Sequence, residues 1–145
     1  MTGYTTPKGV GSLVQANGRT RKTQLLLAAT ELFVAGEAPT KIERHVYAEL
    51  FRQYVDVTPV AERRQIATLL SHCPYAPHDC VLELSQDEDA SVAHRVLAYS
   101  EVLTDCDLIA DIGRGLRAIR RAISLRHEIS DAVRTALRQQ ADGAE

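Results

Sequence analysis

Tryptophan is missing from this chain of 145 residues, and the remaining aromatics make up only 5% of it. A core must therefore be assembled from Leu, Ile, Val and Ala, as stacked helices commonly assemble theirs. Long apolar runs are missing too. None approaches the roughly 18 residues that a membrane span needs, and the N-terminus lacks the charged-then-apolar order of a secretory signal, so the expected location is the cytoplasm, with no membrane partner. Cysteine is scarce and odd in number, three in all at positions 73, 80 and 106, which fits reduced thiols better than a disulfide framework. Neither sign of charge dominates: the net charge is −2, so nothing global demands nucleic acid or a lipid surface. Strand signals are lacking as well, because the β-branched residues never alternate over a useful length. No catalytic or ligand motif of high specificity occurs anywhere.

What is present is a recurrence. Helix-start signals fall at Ala76-Pro77, Thr104-Asp105 and Ser130-Asp131, a period of about 27 residues, long enough for two short helices and their turns. Neither helix alone could hide its apolar side, so the units must stack. The expectation is an all-α protein, a right-handed α-solenoid of HEAT-like helix pairs with seven to eight helices over residues 20–140. Residues 1–19 read as a flexible leader and 141–145 as a frayed tail.

Local signals place the helices. Leu25, Ala28, Ala29, Leu32 and Phe33 keep helical spacing up to Gly36. Thr40 and Glu43 form a capping box ahead of a wide stripe of Ile42, Val46, Tyr47, Leu50, Phe51 and Tyr54. Thr58-Pro59 caps a third helix with Pro at its first position, Ile66, Leu69 and Leu70 facing inward and Glu62, Arg63 and Arg64 facing water. Val81, Leu84, Val92, Val96, Leu108, Ile112, Ile119 and Ile123 are expected in one continuous core, with Leu116 on the spine of helix seven.

TELF at 30–33, PYAP at 74–77, VAHRVLAYS at 92–100, TDCDL at 104–108 and ISDAV at 129–133 together resemble the bacterial domain-of-unknown-function family 2336, over roughly residues 20–140. The resemblance implies HEAT-type α-helical repeats and brings no established chemistry. Where the family tends to place apolar residues in helix seven, this chain has Arg120 and Arg121.

Three constellations are candidates for function. The first is charge segregation: between Val81 and Ile112 eight acids face Arg95 alone, whereas Gly113 to Arg126 holds five Arg and no acid. If helices three, five and seven line one side of the stack, then Arg63, Arg64, Arg95, Arg114, Arg117, Arg120 and Arg121 form a surface suited to bidentate contact with an acidic protein segment or a phosphate backbone. The plainer account is solvated arginines, or pairs with Asp105, Asp107 and Asp111. The second constellation is His72, Cys73, His78 and Cys80, which offers four N/S ligands but not the paired spacing of zinc modules. Cys73 and Cys80 as small core fillers, with the histidines at the surface, account for it better, so no metal or other cofactor is expected. Third, Cys106 is flanked by two acids, a poor setting for a nucleophile, and His127-Glu128 has no nucleophile nearby in sequence. The chain thus reads as a non-enzymatic protein-interaction module, alone or within a longer bacterial regulatory chain. A nucleic-acid-binding HEAT-like module is the alternative.

Overall fold

Eight α-helices and no strand make up residues 7–143, the span that the computed structural model describes, with side chains from 20 to 141. They are α1 (Pro7–Ala35), α2 (Lys41–Tyr54), α3 (Val60–Ser71), α4 (His78–Ser85), α5 (Ala90–Tyr99), α6 (Asp105–Ile112), α7 (Arg117–Ser124) and α8 (Asp131–Gly143). A single 3₁₀ turn, Val55–Val57, joins α2 to α3. The all-α expectation and the number of helices hold.

Side chains start several of these helices by occupying free first-turn amides. Thr40 and Glu43 form the expected capping box, the Thr40 amide donating to Glu43 Oε1 at 2.8 Å and the Glu43 amide to Thr40 Oγ1 at 3.1 Å. Thr104 and Asp107 repeat the arrangement on α6, and Asp89 accepts from the Ser91 amide at 2.9 Å on α5. The start of α3 differs from expectation. Pro59 is the residue before the first helical one, and the buried Thr58 hydroxyl turns back to donate to the Tyr54 carbonyl at 2.8 Å. The Tyr54 carbonyl at the end of α2 takes that hydroxyl, which is then not available to the α3 amides.

The first helix also departs from the sequence reading, starting at Pro7 rather than near Thr20. Once a packed turn exists around Leu26, each further residue adds one hydrogen bond, and Pro7 sits in the first turn where its missing N–H costs nothing. Residues 1–6 of the expected leader, and 144–145 of the expected tail, lie outside the described residues.

The helices α1, α3, α5 and α7 form a row, each packed on the next. Of the others, α2 packs on α1 and α4, α4 also on α3 and α5, and α6 on α7 and α8. One hydrophobic core runs through the assembly from Leu26 to Val133 and contains all eight residues expected in it, Val81 to Ile123. The outermost helices are turned differently. On α1 the buried positions are Thr23, Leu26 and Thr30, while Leu25 and Leu32 are exposed. Thr30 tolerates burial because its hydroxyl donates to the Leu26 carbonyl and meets the Tyr47 hydroxyl at 2.6 Å. Tyr47 and Phe51 are the buried pair on α2, leaving Ile42 and Val46 in solvent. Leu116, expected on the spine of α7, precedes its first turn and is exposed.

Candidate functional site

The row brings six of the seven expected arginines to three neighbouring helices, with Arg114 in the turn before α7, but it uses them unequally. Arg63, in the first turn of α3, is withdrawn from the surface. Its guanidinium forks onto Asp87 (Nε to Oδ2 2.8 Å, Nη2 to Oδ1 3.1 Å) and donates from Nη1 to the Thr58 carbonyl at 2.8 Å. That bond to Asp87 raises its pKa, and only 20% of the side chain remains accessible. Asp87 thus ties the α3 start to the loop before α5. The expectation that Arg63 faces water is corrected accordingly, since a bidentate carboxylate within reach binds a guanidinium better than water does.

Arg64, one residue on, also reaches the start of α5 but finds a neutral partner, donating Nε to Ser91 Oγ at 3.0 Å and remaining half-exposed. Ser91 is fixed in turn by Asp89, whose carboxyl is held below its ordinary range by the Ser91 hydroxyl and amide. Arg95, the next arginine along α5, is half-buried, and its Nε has no hydrogen-bond partner.

At α7 the picture changes. Arg117 and Arg121 are exposed, and Arg120 is half-buried with Nη1 donating to the Gly115 carbonyl at 3.3 Å. Gly115 makes the turn possible with φ of +79°, a conformation that side chains resist. Arg114 lies 3.7 Å from Asp111 Oδ1. Asp111 is itself buried with Oδ2 unpartnered, and burial pushes its carboxyl above the ordinary range, with Ser85 and Arg114 offsetting part of that. Asp107 is engaged elsewhere, with Oδ2 2.6 Å from Nε2 of His78 on α4. Among the described residues, none of Arg64, Arg95, Arg117, Arg120 and Arg121 forms an ion pair with a carboxylate.

The structure also shows a residue that the sequence did not single out. Arg126, just past α7, donates to the Val96, Leu97 and Ser100 carbonyls and so caps the C-terminal end of α5, sharing the Val96 carbonyl with the Ser100 amide. Burial lowers its pKa, opposed by Asp105 and Glu101. No sequence signal marks it, because its partners lie 26 to 30 residues away.

Cys73 and Cys80 are buried in the core and Cys106 is exposed; all three are free thiols. The Cys80 thiol is pushed up to about 12, by burial first and then by Glu83 and Asp79. His72 and His78 are exposed, and among the described residues no three of His, Cys, Asp and Glu gather where a metal ion could sit. No helix among the described residues is long and apolar enough to cross a membrane. No family model, curated protein or solved structure matches the chain, so the resemblance to family 2336 rests on the quoted residues alone.

Proposed function

We propose that the chain is a non-enzymatic protein-interaction module of the bacterial cytoplasm, a right-handed α-solenoid of HEAT-like helix pairs in the manner of family 2336. Its α3–α5–α7 surface takes an acidic segment of a partner protein. The supporting observation is that Arg64, Arg95, Arg117, Arg120 and Arg121 stand on the successive helices α3, α5 and α7 and form no ion pair with a carboxylate among the described residues. A guanidinium already partly desolvated and held by neutral groups, as Arg64 is by Ser91 and Arg120 by Gly115, loses less side-chain entropy when a carboxylate arrives. Single-stranded nucleic acid fits less well, because no aromatic residue occurs between Gly113 and Arg126 and bases would find no stacking platform among the α7 arginines.

The test is a titration with a fluorescent oligoglutamate peptide and, separately, with a single-stranded oligonucleotide. Peptide binding that weakens with salt and disappears in the Arg117→Glu, Arg121→Glu double variant is the expected result. Oligonucleotide binding with a steep salt slope and no peptide binding would transfer the surface to the nucleic-acid alternative.

A further inference from the structure

Among the described residues, the first helix pair ends the row with an exposed apolar face. On α1, Leu27 and Val34 line the clefts toward α3, and Thr30 and Phe33 meet Tyr47 of α2. At about 100° per residue, Leu25 and Leu32 then fall on the side away from α3. On α2, Tyr47 faces α1, and Val55 just after it lines a cleft with Glu83 and Gln86 at the end of α4. The same rotation puts Ile42 and Val46 on the side away from α4. Leu25, Leu32, Ile42 and Val46, exposed at 49%, 77%, 75% and 59%, therefore share one surface, with the half-buried Ala29 and Leu50 at its floor.

We propose that this α1–α2 face is a two-fold interface between two copies of this chain. Area is the first argument. The four exposed side chains offer on the order of 400 Å² of mostly apolar surface, and two such faces with their rims approach the ~1,200 Å² at which specific interfaces begin. The second is charge. Contacts of Thr30 and Phe33 with Tyr47, and of Lys22 with Tyr54 at 6.0 Å, set α1 and α2 antiparallel. Arg21 and Lys22 thus flank one end of the face, while the other carries Glu37 and Glu43 beside Lys41 and Arg44, so a two-fold axis across it sets the cations of one copy against a neutral end of the second rather than against their own kind. The third argument is the opposite end of the row, where α7 presents Arg117 and Arg121. Stacking head to tail would bury those cations against leucine. The contact therefore closes as a dimer rather than propagating as a filament, and leaves the arginines at the outer ends.

Sedimentation equilibrium on the intact chain tests this independently of any acidic partner. The expected mass is twice 16.0 kDa, falling to the monomer in Leu32→Glu and in Ile42→Glu with an unchanged helical spectrum, since neither side chain is part of the monomer core. Arg117→Glu, Arg121→Glu should remain a dimer. A wild-type chain that stays at 16.0 kDa up to its solubility limit overturns the proposal, as does a dimer that Leu32→Glu and Ile42→Glu leave intact or that the α7 variant dissolves.

Discussion

Arg126 illustrates how a single side chain can do structural work that its position in the sequence conceals. The guanidinium donates to three carbonyls at and just past the end of α5, those of Val96, Leu97 and Ser100, of which Val96 also accepts the Ser100 amide, and it rests where the α5 dipole is negative. Removing it takes that donor from the Leu97 and Ser100 carbonyls in a partly buried site. Arg126→Ala should cost about 2–3 kcal/mol, as expected for charge-assisted hydrogen bonds. Arg126→Lys should recover only part of that, because an ammonium cannot fork across carbonyls from successive residues. Urea unfolding of both variants checks this; a loss no greater than that of Arg121→Ala, whose exposed side chain makes no hydrogen bond or ion pair among the described residues, would mean that the carbonyls are satisfied by water. The other arginines show the same dependence on tertiary surroundings. Arg63 and Arg64 are adjacent and chemically identical, yet the first is committed to Asp87 and the second only to a serine hydroxyl. The sequence shows that arginines are abundant here, and only the packing shows which of them already have a partner.

Individual helices were legible to differing degrees, and the difference has a physical cause. From α3 to α6 each helix has neighbours on more than one side, so none of their Val, Leu and Ile side chains is exposed and the sequence stripe coincides with the buried face. On α1 and α2 apolar residues lie both toward the core and away from it, and a stripe read from the sequence cannot tell one from the other: Leu25 and Leu32 had the right spacing but the wrong side. Caps were the most readable signals, being local. That on α6 also reaches α4, since Asp107 accepts from the Thr104 amide and meets His78. Burial raises the Asp107 pKa, but the Thr104 amide, His78 and the Thr104 hydroxyl outweigh it, and the net shift is downward from 3.8. A lowered carboxyl contributes stability above its unfolded pKa and loses it as pH falls through the folded one. In His78→Ala that acid-side loss should therefore begin at a higher pH, and Thr104→Ala should cost about 1 kcal/mol at neutral pH. Asp111 works in the opposite sense, its raised pKa making the charged form costly until acid relieves it. Chemical unfolding across the acid range is best measured in an Asp111→Asn background, where an unmoved midpoint in His78→Ala would show that the ring does not act on Asp107.

Across the whole molecule, charge segregation along the chain becomes an asymmetry between the two ends of the row, apolar at α1–α2 and basic at α7. The acids of the middle segment are partly neutralised by cross-links, Asp87 with Arg63, Asp107 with His78 and Asp111 with Arg114, and the α7 arginines receive none of that compensation. Arg117, Arg120 and Arg121 lie at spacings of three and four residues, where like charges repel by a few tenths of a kcal/mol per pair. Arg117 is moreover the first residue of its helix, where the dipole favours an acid over a base. Replacing Arg117 and Arg121 with Glu turns the Arg117–Arg120 repulsion into attraction and puts an acid at the helix start, while it exchanges the repulsion between 117 and 121 for one between two acids and puts an acid in the last turn; among the described residues it breaks no ion pair. These small effects oppose one another, so the double variant should melt close to the parent temperature, and any difference should shrink as salt screens the charges. Had these side chains been anchoring α7 to Asp105, Asp107 or Asp111, the same change would set like charges together and lower the melting temperature by several degrees for about 1 kcal/mol. A melting temperature that falls while peptide binding persists would assign the arginines to stability; one that holds while binding is lost assigns them to a partner.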